Sequence, residues 1–261
     1  MDRHHPTRRG LRGRGYFNRI GPGLVTGAAD DDPSGIGTYS QTGAATGYRM
    51  LWAAPALLPF AFAIQETCAR VALVTGGTRG IGRAIAETFA QAGGFVFVTD
   101  RDEQAGQGTV NQLRAAGGQA EFLSLDVSSE ADCERVGNAV KSCFGRLDVL
   151  VNNAGTTVFV SDYANLDALT GEVWDKILGL NVKSAFFAAR AVAPHMKAAG
   201  GGAIVNVASI SGLRPVGSSM AYNASKAALI SVTQSLAVAL GPTGVRVNAV
   251  APGHIETRWY A

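Results

Sequence analysis

The stretch from Val71 to Asp100 constrains this chain more than any other. An apolar run, VALVT at 71–75, leads directly into GGTRGIG at 76–82, then into RAIAETFAQAG, which repeats at helical spacing and closes on Gly93 and Gly94. A short run that is apolar throughout suits a central parallel strand buried on both faces. A helix stopped by glycine has an ordinary C-terminus. A second apolar run, FVFVTD, ends in Asp100, eighteen residues after Gly82. Strand, glycine loop, helix and strand in this order make a βαβ unit, and its repetition predicts an α/β fold with a doubly wound parallel sheet. Lacking side chains, Gly76, Gly80 and Gly82 let the backbone approach a pyrophosphate, and the helix that follows offers amide donors at its positive end. Thr78, Arg79 and Ile81 belong to the same loop and are candidate contacts with it. Asp100 stands where a carboxylate would meet the hydroxyls of an adenosine ribose. Its charge would repel a 2′-phosphate and so favours NAD. Arg79 and Arg101 would attract that phosphate and keep NADP as the alternative.

The pattern continues downstream. FLSLDV (122–127) reads as a third strand, with Asp126 and Val127 at its end as further candidate cofactor contacts. LDVLVNNAG (147–155) reads as a fourth, closing on an Asn-Asn-Ala-Gly turn. AIVNVASISG (203–212) reads as another strand, delivering Ser209 at its C-terminal end, where open α/β sheets present ligand-facing residues. Thirteen residues later, AYNASKAALISVTQSLAVAL places Tyr222 and Lys226 four apart on one face of a helix. A free tyrosine, with a pKa of about 10, is a poor base at neutral pH, but a nearby ammonium favours the phenolate. Tyr222 can then protonate a carbonyl oxygen in a reduction or take the proton of an alcohol in an oxidation. Ser209 would hydrogen-bond the same oxygen, and Lys226 would also hold the nicotinamide ribose. The expected substrate is therefore a small carbonyl or alcohol.

Taken together, TGGTRGIG, NNAG and the Ser209, Tyr222, Lys226 set resemble the short-chain dehydrogenase/reductase family over residues 70–261, and within it the 3-oxoacyl-carrier-protein reductase-like branch. The resemblance implies a Rossmann fold and reduction of 3-oxoacyl thioesters or secondary ketones with a nicotinamide cofactor. It adds Asn181, in LNVKSAFFAAR, as a fourth catalytic member that positions a proton-relay water. It adds Asn153 and the PGHIET stretch as cofactor contacts, with Ile255 and Thr257 near the nicotinamide carboxamide. It also implies a dimer or tetramer, since the helices at about 181–199 and 222–241 are apolar enough for a helix-bundle interface. Two departures stand out. Family members run on past the PG-x-x-x-T motif, so the last strand of the sheet is expected to be missing here, leaving VRVNAV (245–250) as an edge. They also begin almost directly at the first strand, whereas this chain carries a leader.

The leader divides the chain into three expected parts: a basic tail at 1–19, an apolar helical segment at 20–69, and the dinucleotide-binding domain at 70–261. The tail holds six arginines against Asp2, or +5 in a chain of net +3, so the rest is net negative and has no basic surplus for nucleic acid. The tail itself reads as a solvated arm. Met50 to Ile64 is fifteen residues without a charge, short of the roughly twenty that span a bilayer. Residues 20 to about 70 resemble the first two helices of Nramp-type divalent metal transporters, with Asp32-Pro33 at the place where such a helix unwinds. Ser34-Gly35 replaces the usual Gly-Asn, and no downstream segment supplies the remaining helices. The reading is a cytoplasmic oxidoreductase with weak membrane association through residues 20–65 and no metal site. Two rivals are a fused, truncated chain that at most binds dinucleotide, and a fragment of a metal transporter. At 47% hydrophobic and 16% charged, the chain can bury a sizeable core. Its three cysteines form no CxxC pair and read as buried, reduced thiols.

Overall fold

A computed structural model describes residues 71–156, 167, 169–215 and 218–255. The tail, the leader with its Nramp-like segment, Cys68 and Thr257 lie outside the described residues. The elements alternate as the sequence predicts: β1 (Val71–Thr75), α1 (Gly80–Gln91), β2 (Phe95–Asp100), α2 (Glu103–Ala115), β3 (Gln119–Ser124), α3 (Glu130–Phe144) and β4 (Val149–Asn152). Then come α4 (Gly171–Leu178), a π-helical turn at Gly179–Lys183, α5 (Ser184–Ala198), β5 (Gly202–Val207), α6 (Met220–Leu240) and β6 (Val245–Val250). All five strand pairings are parallel, in the order β3-β2-β1-β4-β5-β6. The fold is the doubly wound Rossmann sheet. Among the described residues it has six strands, with β6 at one edge.

The alternation of side chains along each strand builds two cores, one per face. Val71, Leu73, Phe97 and Ile204 point to the side where Val136 and Val140 of α3 and Val192 and Met196 of α5 lie. Ala72, Val74, Val96 and Val98 point to the other, against Ile85 and Phe89 of α1 and Val110 and Leu113 of α2. With both faces covered, most positions of the central strands are apolar, which is why they read as apolar runs. The polar ones near their carboxyl ends (Thr75, Thr99, Asn152 and Asn206) are buried with hydrogen-bond partners. Asp102 and Ser129 cap α2 and α3 by accepting from backbone amides, each such cap contributing about 1 kcal/mol.

The third strand begins and ends earlier than its apolar run suggests. Gln119–Ser124 pairs with β2, while Asp126 turns the chain, its carboxylate accepting from the amide and hydroxyl of Ser128. The fourth and fifth strands are shorter than their runs, so Ser209 lies two residues beyond β5. Of the cysteines, Cys133 is buried, which pushes its thiol up to about 11, whereas Cys143 is exposed, contrary to expectation. Among the described residues, one segment, Met220–Thr243, is apolar and long enough to cross a bilayer, but it is α6 with its closing turn, packed beside β6.

Candidate active site

The strand order turns around between β1 and β4, and in such sheets a crevice opens at the carboxyl ends of those two strands. Thr75 ties the ends together. Its hydroxyl donates to the Val151 carbonyl (3.3 Å) and accepts from the amides of Asn153 and Ala154, each at 3.0 Å. Asn153 then reaches back, its Nδ2 donating to the carbonyls of Thr75 (3.0 Å) and Gly76 (3.1 Å). The glycine loop is pressed onto this side chain. A Cβ on Gly82 would lie 2.2 Å from the Gly76 oxygen and 2.4 Å from Asn153 Nδ2, and Gly76 itself is left-handed, with φ of 62°. Only glycine fits either place.

The helix that follows is open where its neighbours are closed. Asp102, Ser129, Thr170 and Ser219 cap α2, α3, α4 and α6 with their side chains, but the start of α1 has no side-chain cap. Its first-turn amides are left for an outside acceptor, which fits the pyrophosphate of a dinucleotide. At the end of β2, Asp100 accepts from the buried Thr78 hydroxyl (2.5 Å) and from the amides of Arg101 (2.8 Å) and Asp102 (3.4 Å). Arg79 is exposed and pairs with Asp102 at 3.6 Å. The Ser128 hydroxyl, and to a lesser degree the Arg101 guanidinium, hold the Asp126 carboxyl below the usual range. The Val127 side chain packs into the core, so a contact from that residue would come through its backbone. Ile81 is half-buried against the α1 and α2 core.

Across the crevice, Tyr222 and Lys226 sit in the first two turns of α6, whose start Ser219 caps. Lys226 is 5% exposed; its Nζ donates to the Val207 carbonyl at 2.8 Å and lies 5.7 Å from the centre of the Tyr222 ring. Burial pushes its pKa down to about 8. Ser209 opens the short helical turn Ile210–Gly212, its hydroxyl oxygen accepting from the Ser211 amide at 3.1 Å. That turn lies flush on α6, because a Cβ on Gly212 would come within 2.6 Å of the Lys226 carbonyl carbon. Asn181 is buried inside the π-helical turn, a distortion often found at functional sites. Its Oδ1 accepts from the Thr156 amide (2.7 Å), and its Nδ2 donates to the Thr156 carbonyl and to Ser225 Oγ, both at 2.9 Å. Ser225 in turn donates to the Tyr222 carbonyl at 2.7 Å.

A parallel sheet in this order, a glycine loop against Asn153, and a Tyr-x-x-x-Lys helix beside a serine turn are matched as a whole by one family, described as short chain dehydrogenase, over residues 70–261. The chain belongs to the short-chain dehydrogenase family. It is 46% identical, over 73% of its length and 75% of the relative's, to a protein described as a ketoacyl reductase of the granaticin polyketide synthase of Streptomyces violaceoruber. It is 39% identical to the 7alpha-hydroxysteroid dehydrogenase of Clostridium sardiniense, over 72% of each chain. A short-chain type dehydrogenase/reductase from Mycobacterium ulcerans has a solved structure that aligns with a TM-score of 0.69 at 31% identity, over 74% of this chain and 70% of that one. A second family, described as Natural resistance-associated macrophage protein-like, matches residues 23–100. Its last part falls on Val71–Asp100, which this short-chain dehydrogenase folds into β1, α1 and β2.

Sequence reasoning passed over several residues of the site. Thr75, Gly155, Gly212 and Ser225 hold the named ones together; a Cβ on Gly155 would sit 3.0 Å from Asn181 Oδ1 and 3.5 Å from Lys226 Nζ. Each lies inside a quoted motif without being singled out there, because small residues signal a contact only once their neighbours are known. A buried polar chain was missed altogether. Asn152 Nδ2 donates to Asn206 Oδ1 and Asn206 Nδ2 to Thr233 Oγ1, both at 2.9 Å, with all three residues buried. Ile255 is half-buried in the loop after β6, whose Pro252 carbonyl accepts from the Ile210 amide at 3.0 Å.

Proposed function

We propose that this short-chain dehydrogenase moves a hydride between NAD and a secondary alcohol or ketone, or reduces a 3-oxoacyl thioester, in the cytosol. The observation that carries the reading is the buried Lys226 ammonium one turn along α6 from Tyr222, with the Ser209 turn seated on the same helix. The nicotinamide, when bound, supplies or accepts the hydride. The chain's own residues manage the oxygen and its proton. With its charge close by, Lys226 favours the Tyr222 phenolate. Tyr222 gives its proton to the carbonyl oxygen in reduction and takes the alcohol proton in oxidation. The Ser209 oxygen already accepts from Ser211, so its hydrogen remains to be donated to the same substrate oxygen. Asn181 has donated both amide hydrogens, leaving acceptor sites rather than donors to hold a relay water.

Gly76, Thr78, Arg79, Gly80, Ile81 and Gly82 would line the pyrophosphate, while Asp100, Asp126 and Val127 would meet the adenosine end. Asn153, Ile255 and Thr257 would meet the nicotinamide end. The preference for NAD is supported by Asp100, kept acceptor-rich at the end of β2, and by Arg79, drawn toward Asp102. A domain boundary at residue 70 is supported by the start of the family match and by β1 at Val71. Exposed Phe186 on α5 and Val238 on α6 support association of copies through these helices.

The test is turnover by the full-length chain of cyclopentanol with NAD and of a 3-oxobutanoyl thioester with NADH. Tyr222→Phe is expected to lower kcat by about 10²–10⁴-fold while NAD affinity holds. A Tyr222→Phe enzyme with half its activity would sink the assignment, and NAD binding without any turnover would favour the reading in which the chain at most binds dinucleotide.

A further inference from the structure

The buried face of α6 is Ala221, Ser225, Lys226, Leu229 and Thr233, and three of these five are polar. Ser225 answers to Asn181 and Lys226 to the Val207 carbonyl, both inside the site. Thr233 lies almost two turns farther on from Lys226, and it is 2% exposed and fully engaged. Its hydroxyl donates to the Leu229 carbonyl (2.7 Å) and accepts from Asn206. Asn206 pairs in register with Asn152 across β5 and β4, and Asn152 Nδ2 also donates to the Ala185 carbonyl of α5 at 3.2 Å. The two bonds that link Asn152, Asn206 and Thr233 run one way, from β4 through β5 to α6. On the same face one step earlier the strands carry Leu150 and Ile204, so polar pairs here interrupt an otherwise apolar layer.

An apolar contact lets a helix slide by fractions of an ångström, whereas a hydrogen-bonded contact fixes one register, because any shift leaves a buried amide without its partner. We propose that Thr233 is a positioning residue, locking α6 lengthwise on β5 so that Tyr222 and Lys226 meet the Ser209 turn that the same strand delivers. The locking point and the reacting groups share two rigid elements. Asn206 is followed on β5 by Val207, whose carbonyl holds Lys226, and then by the turn carrying Ser209. Thr233 thus fixes α6 at a second point, seven residues along from the first.

This inference rests on the acid/base reading of Tyr222, and the experiment separates the two. With the full-length chain, cyclopentanol and NAD, Thr233→Val keeps the shape and removes the hydroxyl, while Thr233→Ser keeps the hydroxyl and removes a methyl. Thr233→Val is expected to lose about tenfold to hundredfold in kcat, the scale on which small misplacements act, with NAD affinity unchanged. Thr233→Ser is expected to restore most of kcat even where its melting temperature is no better than that of the valine variant. If Thr233→Val does not fold, Thr233→Ala, with room for a water on Asn206 Nδ2, is read on the same scale. Should Tyr222→Phe be inactive while Thr233→Val or Thr233→Ala matches wild-type kcat and only melts earlier, the positioning role is overturned and the catalytic reading stands. Equal kcat losses in the serine and valine variants would overturn it as well. Absence of turnover in the wild type, or an active Tyr222→Phe, removes the reading beneath it and the proposal with it.

Discussion

The two halves of the sheet are built from different materials. In the nucleotide half, the buried polar residues of β1 to α2 are four threonines: Thr75, Thr78, Thr99 and Thr109. Three of their hydroxyls donate to backbone carbonyls, and only Thr78 donates to a side chain, Asp100. In the catalytic half, from β4 to α6, Asn152, Asn181, Asn206, Ser225, Lys226 and Thr233 are buried and bonded largely to one another or to the elements they join. The contrast follows from what each half handles. A pyrophosphate is held by backbone amides and a helix end, so that half needs glycines and an apolar core behind them. A proton is moved by side chains whose positions must hold to fractions of an ångström, and there buried polar bonds fix what packing alone would leave loose.

The comparison breaks most visibly at Lys226. Lys226→Met should lower kcat by about 10²–10⁴-fold, the usual range for loss of acid/base function. The same substitution should raise stability at pH 7. The folded pKa of about 8 lies below the ordinary 10.5, so at pH 7 the charge is carried in both states and its full burial cost is present. That cost is on the order of 3 kcal/mol by the size of the shift, offset in part by the lost bond to Val207, worth about 1–2 kcal/mol. A net gain of about 1–2 kcal/mol raises Tm by roughly 2–8 °C in a chain of this size. Since the unfolded state holds the extra proton between pH 8 and 10.5, wild-type stability climbs through that window and the gap between the two proteins should close. Melting curves at pH 7 and 10 check this; a Lys226→Met protein less stable at pH 7 would show that the lysine belongs to the scaffold rather than to the chemistry.

Gly82→Ala is the matching test of the other half, and its effect should be smaller. The added methyl meets the Gly76 carbonyl oxygen, which is backbone, and Asn153 Nδ2, which is already spent on two carbonyls. Neither can yield cheaply. Overpacking of this kind costs about 1–3 kcal/mol, or about tenfold to hundredfold in NAD affinity if it falls on the loop. Isothermal titration with NAD reads it directly. Unchanged affinity would mean that the loop relaxes and that the close contact with Asn153 is dispensable.

What could be read from the sequence divides along the same line. Backbone-driven features announce themselves, because glycines at fixed offsets, a strand ending in Asp100 and apolar runs at the right spacing are local patterns. The strand order and the crevice follow from them with few alternatives. In the catalytic half the reacting residues were visible by their spacing, but their supports were not. Asn206 and Thr233 are 27 apart in sequence, and their bond exists only because β5 and α6 pack together. Gly212 and Gly155 carry no signal in the sequence, and only the structure shows that a Cβ there would meet Lys226 and Asn181. The ends of β3 and β5 were drawn too late because their apolar runs continue past the last ladder bond, into turns that Asp126 and Ser209 make with their own side chains.

The smallest expected effect lies at Asp100 and decides how much of nucleotide recognition escapes the backbone. Its carboxylate accepts from the Thr78 hydroxyl and two amides, which leaves it fixed in place with one of its roughly four acceptor sites, on Oδ2, still unused. Opposed to it are Arg79, more than half exposed and drawn to Asp102, and Arg101, also exposed. Charges this open to solvent act through a high effective dielectric, so a carboxylate facing a 2′-phosphate at contact distance is worth about 1–4 kcal/mol. Only the lower end applies at physiological salt. Wild type should therefore bind NAD more tightly than NADP by about tenfold or somewhat more. Asp100→Ala should close most of that gap from both sides, weakening NAD through the lost acceptor and strengthening NADP through the lost repulsion. The Thr78 hydroxyl, left without its acceptor, should add a small loss of stability common to both cofactors, which a melting curve without nucleotide separates from the preference. Paired titrations of both proteins with NAD and NADP at low and high salt provide the measurement. A wild type that already prefers NADP would show that Arg79 releases Asp102 to bind the phosphate, and that selectivity in this half rests on an exposed, mobile cation rather than on the carboxylate built into the end of β2.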